Sequence, residues 1–160
     1  MINLSGASKY DVAANNAVRE SVIAGSFVAV AAGNQATAAS TMSPGSEPYA
    51  CTVGAMAVNH SLADFSNYGP EVDVIAPGVR VSTIKPEDGT SEIWDSGTSI
   101  AAPHVAGLAA YLLGLKTLSA SQASSTNLCS YIQSTAIRNI VQAPSGRVPN
   151  NYLIYNGVGA

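Results

Sequence analysis

The 160-residue sequence predicts an α/β fold with a mainly parallel sheet and a buried central helix. The first observation is a continuous apolar run at residues 27–32, which is typical of a strand covered on both faces of a parallel sheet. The second is a helical pattern of small apolar residues just before this run, because a helix followed by a strand is half of a βαβ unit. The third is the segment at residues 99–115, which is apolar around its whole circumference, as a helix inside a domain is.

The elements have recognisable boundaries along the chain. In order, we expect a strand at residues 2–5, a helix at 11–24, strands at 27–32, 51–58 and 72–75, helices at 99–115 and 127–136, and a strand at 152–155. Gly25 marks the end of the first helix, and Gly33-Asn34 ends the buried strand. Residues 35–48 are expected to form a polar loop, and residues 85–91 a charged, exposed one.

Composition excludes several classes of function. Apolar residues make up 47% of the sequence and charged residues 11%, with a net charge of −3 and no run of lysine or arginine. Nucleic acid and anionic membranes are therefore not expected as partners. No apolar stretch reaches the roughly 18 residues of a membrane-spanning helix, and residues 1–5 lack the basic start of a signal peptide. A dinucleotide-binding domain is a poor alternative, because no Gly-x-Gly-x-x-Gly follows a strand.

The two cysteines, Cys51 and Cys129, allow two interpretations. They are either two buried thiols or a disulfide, and their wide separation excludes a zinc site of the paired Cys-x-x-Cys kind. A bridge between them would stabilise the fold by up to about 4–5 kcal/mol in the chain-entropy description. It would also imply an oxidising compartment.

The segment from Gly97 to Gly107 places a serine at the start of the apolar helix. It reads Gly-Thr-Ser-Ile-Ala-Ala-Pro-His-Val-Ala-Gly. Pro103 has no N–H to donate to the Ser99 carbonyl, and proline is tolerated only near a first turn, so the helix must begin close to Ser99. Unpaired N–H groups and the positive end of the helix dipole then lie near the Ser99 hydroxyl. On these residues alone Ser99 is either a helix cap or a nucleophile.

This segment resembles the nucleophile segment of subtilisin-like serine proteases. Other segments are similar to the proteinase K branch of that family, namely residues 31–34, 43–48, 51–55, 65–69 and 74–78. The resemblance implies a three-layer α/β sandwich and a serine endopeptidase that needs no cofactor for catalysis. It implies that Ser99 is the nucleophile and that the Asn34 side chain donates an N–H to the oxyanion. A turn asparagine is the alternative at Asn34.

The resemblance also implies residues that would bind a polypeptide substrate. The strand that pairs with substrate corresponds to Ser5, Gly6 and Ala7. This sequence departs from the family there, with Ser-Gly-Ala-Ser in place of the usual Ser-Leu-Gly-Gly. The opposite wall of the pocket corresponds to Ala31, Ala32 and Gly33, whose small size leaves room for a sizeable substrate side chain.

Two stabilising features are implied in the same way. A disulfide corresponds to Cys51 and Cys129. A structural calcium ion corresponds to the carbonyl oxygens of Pro48 and Ala50 and the carboxylate of Asp73, for which an ordinary strand-end carboxylate is the alternative. By the same resemblance, the compartment is extracellular or vacuolar.

The aspartate and histidine of the triad have no counterpart in the sequence. His60 lies in what resembles a variable surface loop, and His104 is expected to be a buried histidine with a hydrogen bond. Residues 1–160 are therefore expected to be a partial catalytic domain, N-terminally truncated and inactive alone. Its partner would be the missing N-terminal half or a propeptide. The alternative is a non-catalytic pseudoprotease fragment that binds peptides or a partner.

Overall fold

The computed structural model describes residues 1–148 and 150–157. The elements are β1 (Ile2–Leu4), β2 (Ser8–Lys9), α1 (Val12–Ile23), β3 (Val28–Ala31), β4 (Met42–Ser43), β5 (Cys51–Met56), β6 (Val74–Pro77), β7 (Val81–Ile84), β8 (Glu92–Asp95), α2 (Thr98–Gly114), α3 (Leu128–Thr135), β9 (Ile137–Arg138) and β10 (Tyr152–Leu153). Two pairs form small separate sheets, β2 with β4 and β7 with β8.

The central sheet has six strands in the order β1-β3-β5-β6-β10-β9. Its first five strands are parallel, and β9 pairs antiparallel with β10. The carboxyl ends of β1, β3 and β5 consequently lie at the same edge of the sheet, where sites form in open α/β folds.

Helices cover both faces of the sheet, which gives the three layers that the family resemblance implies. Val28 and Val30 of β3 pack on the α1 side, together with buried valines of that helix. Ala29 and Ala31 face the opposite way and belong to the core formed by α2 and α3. The unbroken apolar run of β3 therefore follows from its two buried faces.

The long helix α2 is buried on one side only. Its sheet-facing residues are buried, including Val105 and Ala109 at 0% exposure. On the other side Tyr111 is 45% exposed and Leu113 is 38% exposed. The expectation of a wholly buried central helix is therefore met on the sheet side and not on the outer side.

A disulfide joins Cys51, the first residue of β5, to Cys129 in α3, with a Cα–Cα distance of 5.6 Å. This pairing resolves the two interpretations of the cysteines in favour of the bridge. Among the described residues, no helix is both long enough and apolar enough to cross a membrane.

Candidate active site

Ser99 is the second residue of α2, and its backbone N–H has no hydrogen-bond partner among the described residues. Gly97 caps the helix, and its carbonyl oxygen accepts hydrogen bonds from the N–H groups of Ile100 at 3.1 Å and Ala101 at 3.2 Å. The N–H of Thr98 is donated to the Asn34 side chain. Within the described residues this leaves the N–H of Ser99 as the free donor of the first turn, next to its own hydroxyl.

Two hydrogen bonds from Thr98 fix the orientation of the Asn34 amide. The Asn34 Oδ1 accepts the Thr98 N–H at 2.9 Å and the Thr98 hydroxyl at 2.8 Å. The Thr98 Oγ1 in turn accepts the Gly33 N–H at 3.1 Å, and Thr98 is fully buried. Because Oδ1 already accepts two donors, the Nδ2 of Asn34 faces the opposite direction and keeps its N–H groups for another acceptor.

Ser99 and Asn34 border one small space above Gly97. A β-carbon on Gly97 would lie 2.6 Å from the Ser99 Oγ and 3.3 Å from the Asn34 Nδ2. Gly97 therefore leaves open the space between a hydroxyl and an amide donor. These two groups, with the free Ser99 N–H, could stabilise an oxyanion formed on a carbon attacked by Ser99.

The predicted substrate-binding segments follow neighbouring strands. Ala31, Ala32 and Gly33 are buried at the end of β3, and Ser5, Gly6 and Ala7 are exposed directly after β1. Since β1 and β3 are adjacent and parallel, both segments leave the same edge of the sheet. The Ser5 hydroxyl reaches the carbonyl oxygen of Ser99 at 2.7 Å, so this segment also contacts α2.

Asn67, which was not among the predicted site residues, holds the segment that carries Asn34. Its Nδ2 donates to the Ala32 carbonyl at 2.8 Å, and its Oδ1 accepts the N–H groups of Gln35 at 3.0 Å and Thr37 at 3.1 Å. Asn67 is fully buried. Its place in the motif at residues 65–69 was a sequence signal for the family, but nothing local indicated these distant partners.

Neither histidine contacts Ser99 within the described residues. The Nδ1 of His104 lies 2.9 Å from the Ile100 carbonyl oxygen, one turn earlier in α2. The expected hydrogen bond is present, but His104 is exposed rather than buried, because it lies on the uncovered side of the helix. His60 occupies a turn, where its backbone N–H donates to the Ala57 carbonyl oxygen.

Asp73 lies directly before β6, in a second, acidic site. Its Oδ2 accepts the Thr52 N–H at 2.8 Å, and its Oδ1 accepts a Gln133 side-chain N–H at 3.3 Å. Burial raises the pKa of Asp73 to about 6, against the lowering effect of the hydrogen bonds from Thr52 and Gln133.

The cavity beside Asp73 has a volume of about 260 Å³ and is lined by Ser46, Glu47, Pro48, Pro70, Glu71 and Asp73. Both carboxylate oxygens of Glu47 are bound by Arg19. The Oε2 of Glu71 is buried and has no hydrogen-bond partner among the described residues. Nor do these residues donate a hydrogen bond to the carbonyl oxygens of Pro48 and Ala50.

The oxygen atoms of Glu71, Pro48 and Ala50 that have no partner among the described residues are suitable ligands for calcium. Calcium is a hard cation that binds carboxylate and carbonyl oxygens. The sulfur atoms of Cys51 and Cys129 also lie close to Asp73. They are bonded to each other and hence are not available as thiolate ligands.

Comparison with known proteins gives consistent findings. Residues 2–153 match the Subtilase family, Peptidase S8. The chain is 48% identical over 149 residues to the Cuticle-degrading protease of Metarhizium anisopliae, covering 92% of this chain and 36% of that protein. It is 44% identical over 161 residues to Proteinase T of Parengyodontium album, covering 100% of this chain and 52% of that protein.

The fold is similar to the crystal structure of a cold adapted subtilisin-like serine proteinase, with a TM-score of 0.88 and 32% identity. That match covers 99% of this chain and 55% of the other. This chain therefore spans between 36% and 55% of the length of these three proteins.

Proposed function

Because this chain belongs to the subtilase family, we propose that it supplies the nucleophile and the oxyanion hole of a serine endopeptidase. The observation that carries the proposal is the double anchoring of the Asn34 Oδ1 on Thr98. It turns the Asn34 N–H groups away from Thr98, beside the residue that would attack the peptide carbonyl. The substrate is a polypeptide, as expected for a protease family.

In this mechanism the Ser99 Oγ attacks the carbonyl carbon of the scissile bond. The carbonyl oxygen becomes an oxyanion and accepts N–H groups from the Asn34 side chain and the Ser99 backbone, at the positive end of α2. The carbon–nitrogen bond then breaks as the leaving amine takes up the proton that the base removed from Ser99. Water hydrolyses the acyl group left on Ser99 and regenerates its hydroxyl. Ala31, Ala32 and Gly33 form one wall of the substrate pocket, and Ser5, Gly6 and Ala7 the other.

The base that deprotonates Ser99, with its orienting aspartate, is proposed to lie outside these 160 residues. The support is that neither His60 nor His104 contacts Ser99 in the described part of the chain. Loss of triad partners lowers the rate by several powers of ten even where the oxyanion hole survives. We therefore propose that the chain alone does not hydrolyse peptides at a rate typical of the family.

Reconstitution with a relative tests this function. The chain is assayed on a chromogenic peptide alone and after co-production with the portion of Proteinase T that it does not match. We expect turnover only in the second preparation and none with S99A. Turnover by the chain alone that S99A abolishes would contradict the proposed external base. A reconstituted enzyme unaffected by S99A would contradict the role of Ser99.

A matched variant tests the oxyanion hole in the same preparation. Removing the corresponding donor of subtilisin is known to cost about 10²–10³ in kcat, and N34A is expected to show the same order of loss. N59A, which removes an exposed asparagine that bonds only within its own turn, serves as the control. An N34A variant with unchanged kcat would exclude Asn34 as an oxyanion donor.

A non-catalytic peptide-binding fragment is the second candidate, and the lack of a histidine contact to Ser99 favours it. Labelling with a fluorophosphonate distinguishes the two functions. An activated Ser99 in the reconstituted preparation is labelled, whereas a pseudoprotease remains unlabelled in every preparation.

We also propose that Asp73 and the carbonyl oxygens of Pro48 and Ala50 hold a structural calcium ion. Calcium would add a positive charge where the Asp73 carboxylate is desolvated and where the Glu71 Oε2 has no hydrogen-bond partner in the described part of the chain. The carbonyl oxygens of Pro48 and Ala50, which accept no hydrogen bond from the described residues, support the same assignment.

Thermal unfolding in calcium tests this site. At a free concentration about 100-fold above its dissociation constant, calcium should raise the midpoint of the metal-free chain by about 5–10 °C. D73N should lose this response. E87Q, which changes a carboxylate in the exposed loop at residues 85–91, should keep it. An equal response from D73N would contradict the assignment.

An extracellular location is proposed on the strength of the disulfide, because such bonds persist in oxidising environments.

A further inference from the structure

Helix α2 leaves one of its first carbonyl groups without a helical partner. The carbonyl oxygen of residue i in an α-helix normally accepts the N–H of residue i+4. For Ser99 that residue is Pro103, which has no N–H. The proposed nucleophile therefore carries a carbonyl group that the helix itself cannot satisfy.

A side chain from a distant part of the sequence fills this gap. The Ser5 hydroxyl donates to the Ser99 carbonyl oxygen at 2.7 Å, across 94 positions of sequence. This is the ordinary length of a hydrogen bond from an O–H donor. It ties the segment after β1 to the first turn of α2.

The direction of the Ser5 hydroxyl proton is set by a second contact. The Asn3 side chain donates its Nδ2 hydrogen to the Ser5 Oγ at 3.0 Å. Asn3 lies in β1, where it is paired in register with Ala29 of β3. Since the Ser5 oxygen accepts from Asn3, its own proton remains for the Ser99 carbonyl, and the donor is anchored on the central sheet.

We propose that Ser5 is a positioning residue for Ser99. Its hydroxyl replaces the N–H that Pro103 lacks, and it fixes the first turn of α2 so that the N–H and Oγ of Ser99 face the space above Gly97. This inference rests on the proposed function of Ser99. It gives Ser5 a role through the nucleophile, in addition to the substrate-pairing role of its segment.

The charge on the Ser99 carbonyl explains why the contact matters for reactivity. A carbonyl oxygen without a donor presents its partial negative charge close to the side chain of the same residue, where negative charge must develop. A hydroxyl donor reduces that effect and leaves the N–H groups of the helix end to dominate. Water could also bind this carbonyl, but it would not hold α2 at a fixed distance from β1.

A thiol at position 99 reports on this environment without any base or peptidase activity. The S99C chain has a single free thiol, the one introduced, because Cys51 and Cys129 form a disulfide. The rate of its alkylation by iodoacetamide as a function of pH gives the pKa of the thiol, which helix N-termini lower. S5A should raise this pKa and slow alkylation at pH 7 by about threefold or more.

Matched variants separate positioning from folding. S5T keeps the hydroxyl and should restore the parent pKa, and S8A, which removes a hydroxyl on β2, should leave it unchanged. An S5A chain with the parent pKa and rate would overturn the proposal. So would an S5T chain that behaves like S5A, since the hydrogen bond would then not be the cause.

The reconstituted enzyme provides a second readout. In the reconstituted enzyme S5A should lower kcat with little change in KM. If Ser5 acted only by pairing its segment with substrate, S5A would raise KM instead. If reconstitution yields no peptidase, the proposed function fails, and the thiol measurement still decides whether Ser5 positions residue 99.

Discussion

At the scale of single residues, the chemistry of the candidate site depends on which way one amide faces. Asn34 could present either its oxygen or its nitrogen to the space above Gly97. Thr98 decides this by donating twice to the oxygen. The sequence shows Thr98 only as the middle residue of Gly-Thr-Ser, so the presence of Asn34 and Ser99 could be predicted but the orientation of the amide could not.

Asp73 makes the stability of the metal-free chain depend on pH. Its pKa is raised from 3.8 to about 6 in the folded state, so the fold retains a proton that the unfolded chain has lost between these values. The free energy of unfolding should therefore fall as pH rises from about 4 to about 6, by up to about 3 kcal/mol from this group. Below about pH 4 the contribution is constant and fully present.

Urea unfolding of the metal-free chain between pH 4 and pH 7 measures this dependence. D73N cannot titrate, so the difference in unfolding free energy between parent and D73N should change across this interval in the stated direction. A difference that is independent of pH would contradict the raised pKa. Added calcium should oppose the loss above pH 6, because it binds the ionised carboxylate.

At the scale of elements, burial decided what could be predicted. The expected helix at residues 11–24 is observed at Val12–Ile23, and the expected strand at 27–32 at Val28–Ala31, because both have a continuous apolar face. The strands β7 and β8 were missed. Both are mostly exposed, so neither has the alternation of buried and exposed residues that identifies a strand.

The loop after β3 illustrates a different reason for failure. Its conformation is held by Asn67, whose partners lie about 30 positions earlier in the sequence. A β-carbon on Gly33, where φ is +105°, would collide with the Asn67 amide, so the close approach requires glycine. Local patterns predict a turn at Gly33-Asn34, but they do not contain the distant side chain that shapes it.

Removing the Asn67 side chain should destabilise the whole chain. N67A leaves the part-buried N–H groups of Gln35 and Thr37 and the buried carbonyl of Ala32 without their partner. Each such loss typically costs about 1–3 kcal/mol, so the free energy of unfolding should fall by about 3 kcal/mol or more. Urea unfolding measures the change, with N59A as an exposed control expected within about 0.5 kcal/mol of the parent. Equal midpoints for N67A and the parent would show that the loop does not depend on Asn67.

At the scale of the whole molecule, the helices that cover the two faces of the sheet differ in their exposed apolar surface. The α1 side is closed by one amphipathic helix, whereas the α2 side ends in a helix with an exposed apolar surface that includes Tyr111 and Leu113. The all-round apolar pattern of α2 could be read from the sequence. The sequence could not show which side of α2 is exposed, because that depends on which elements lie near the helix rather than on the helix itself.

The disulfide between Cys51 and Cys129 also has a consequence for the covalent topology of the chain. It closes a ring that contains the exposed turn between β7 and β8. Limited proteolysis that makes a single cut within residues 85–91 opens this ring but releases nothing. On a denaturing gel the cut chain should migrate as two pieces with reductant and as a single species without it.

C129S breaks the ring and should release the two pieces in both gels. Two separate pieces from the parent without reductant would show that the bridge is absent from the protein in solution. A molecule proposed to cut other chains would thus survive a cut in its own exposed turn between β7 and β8 as one covalent unit.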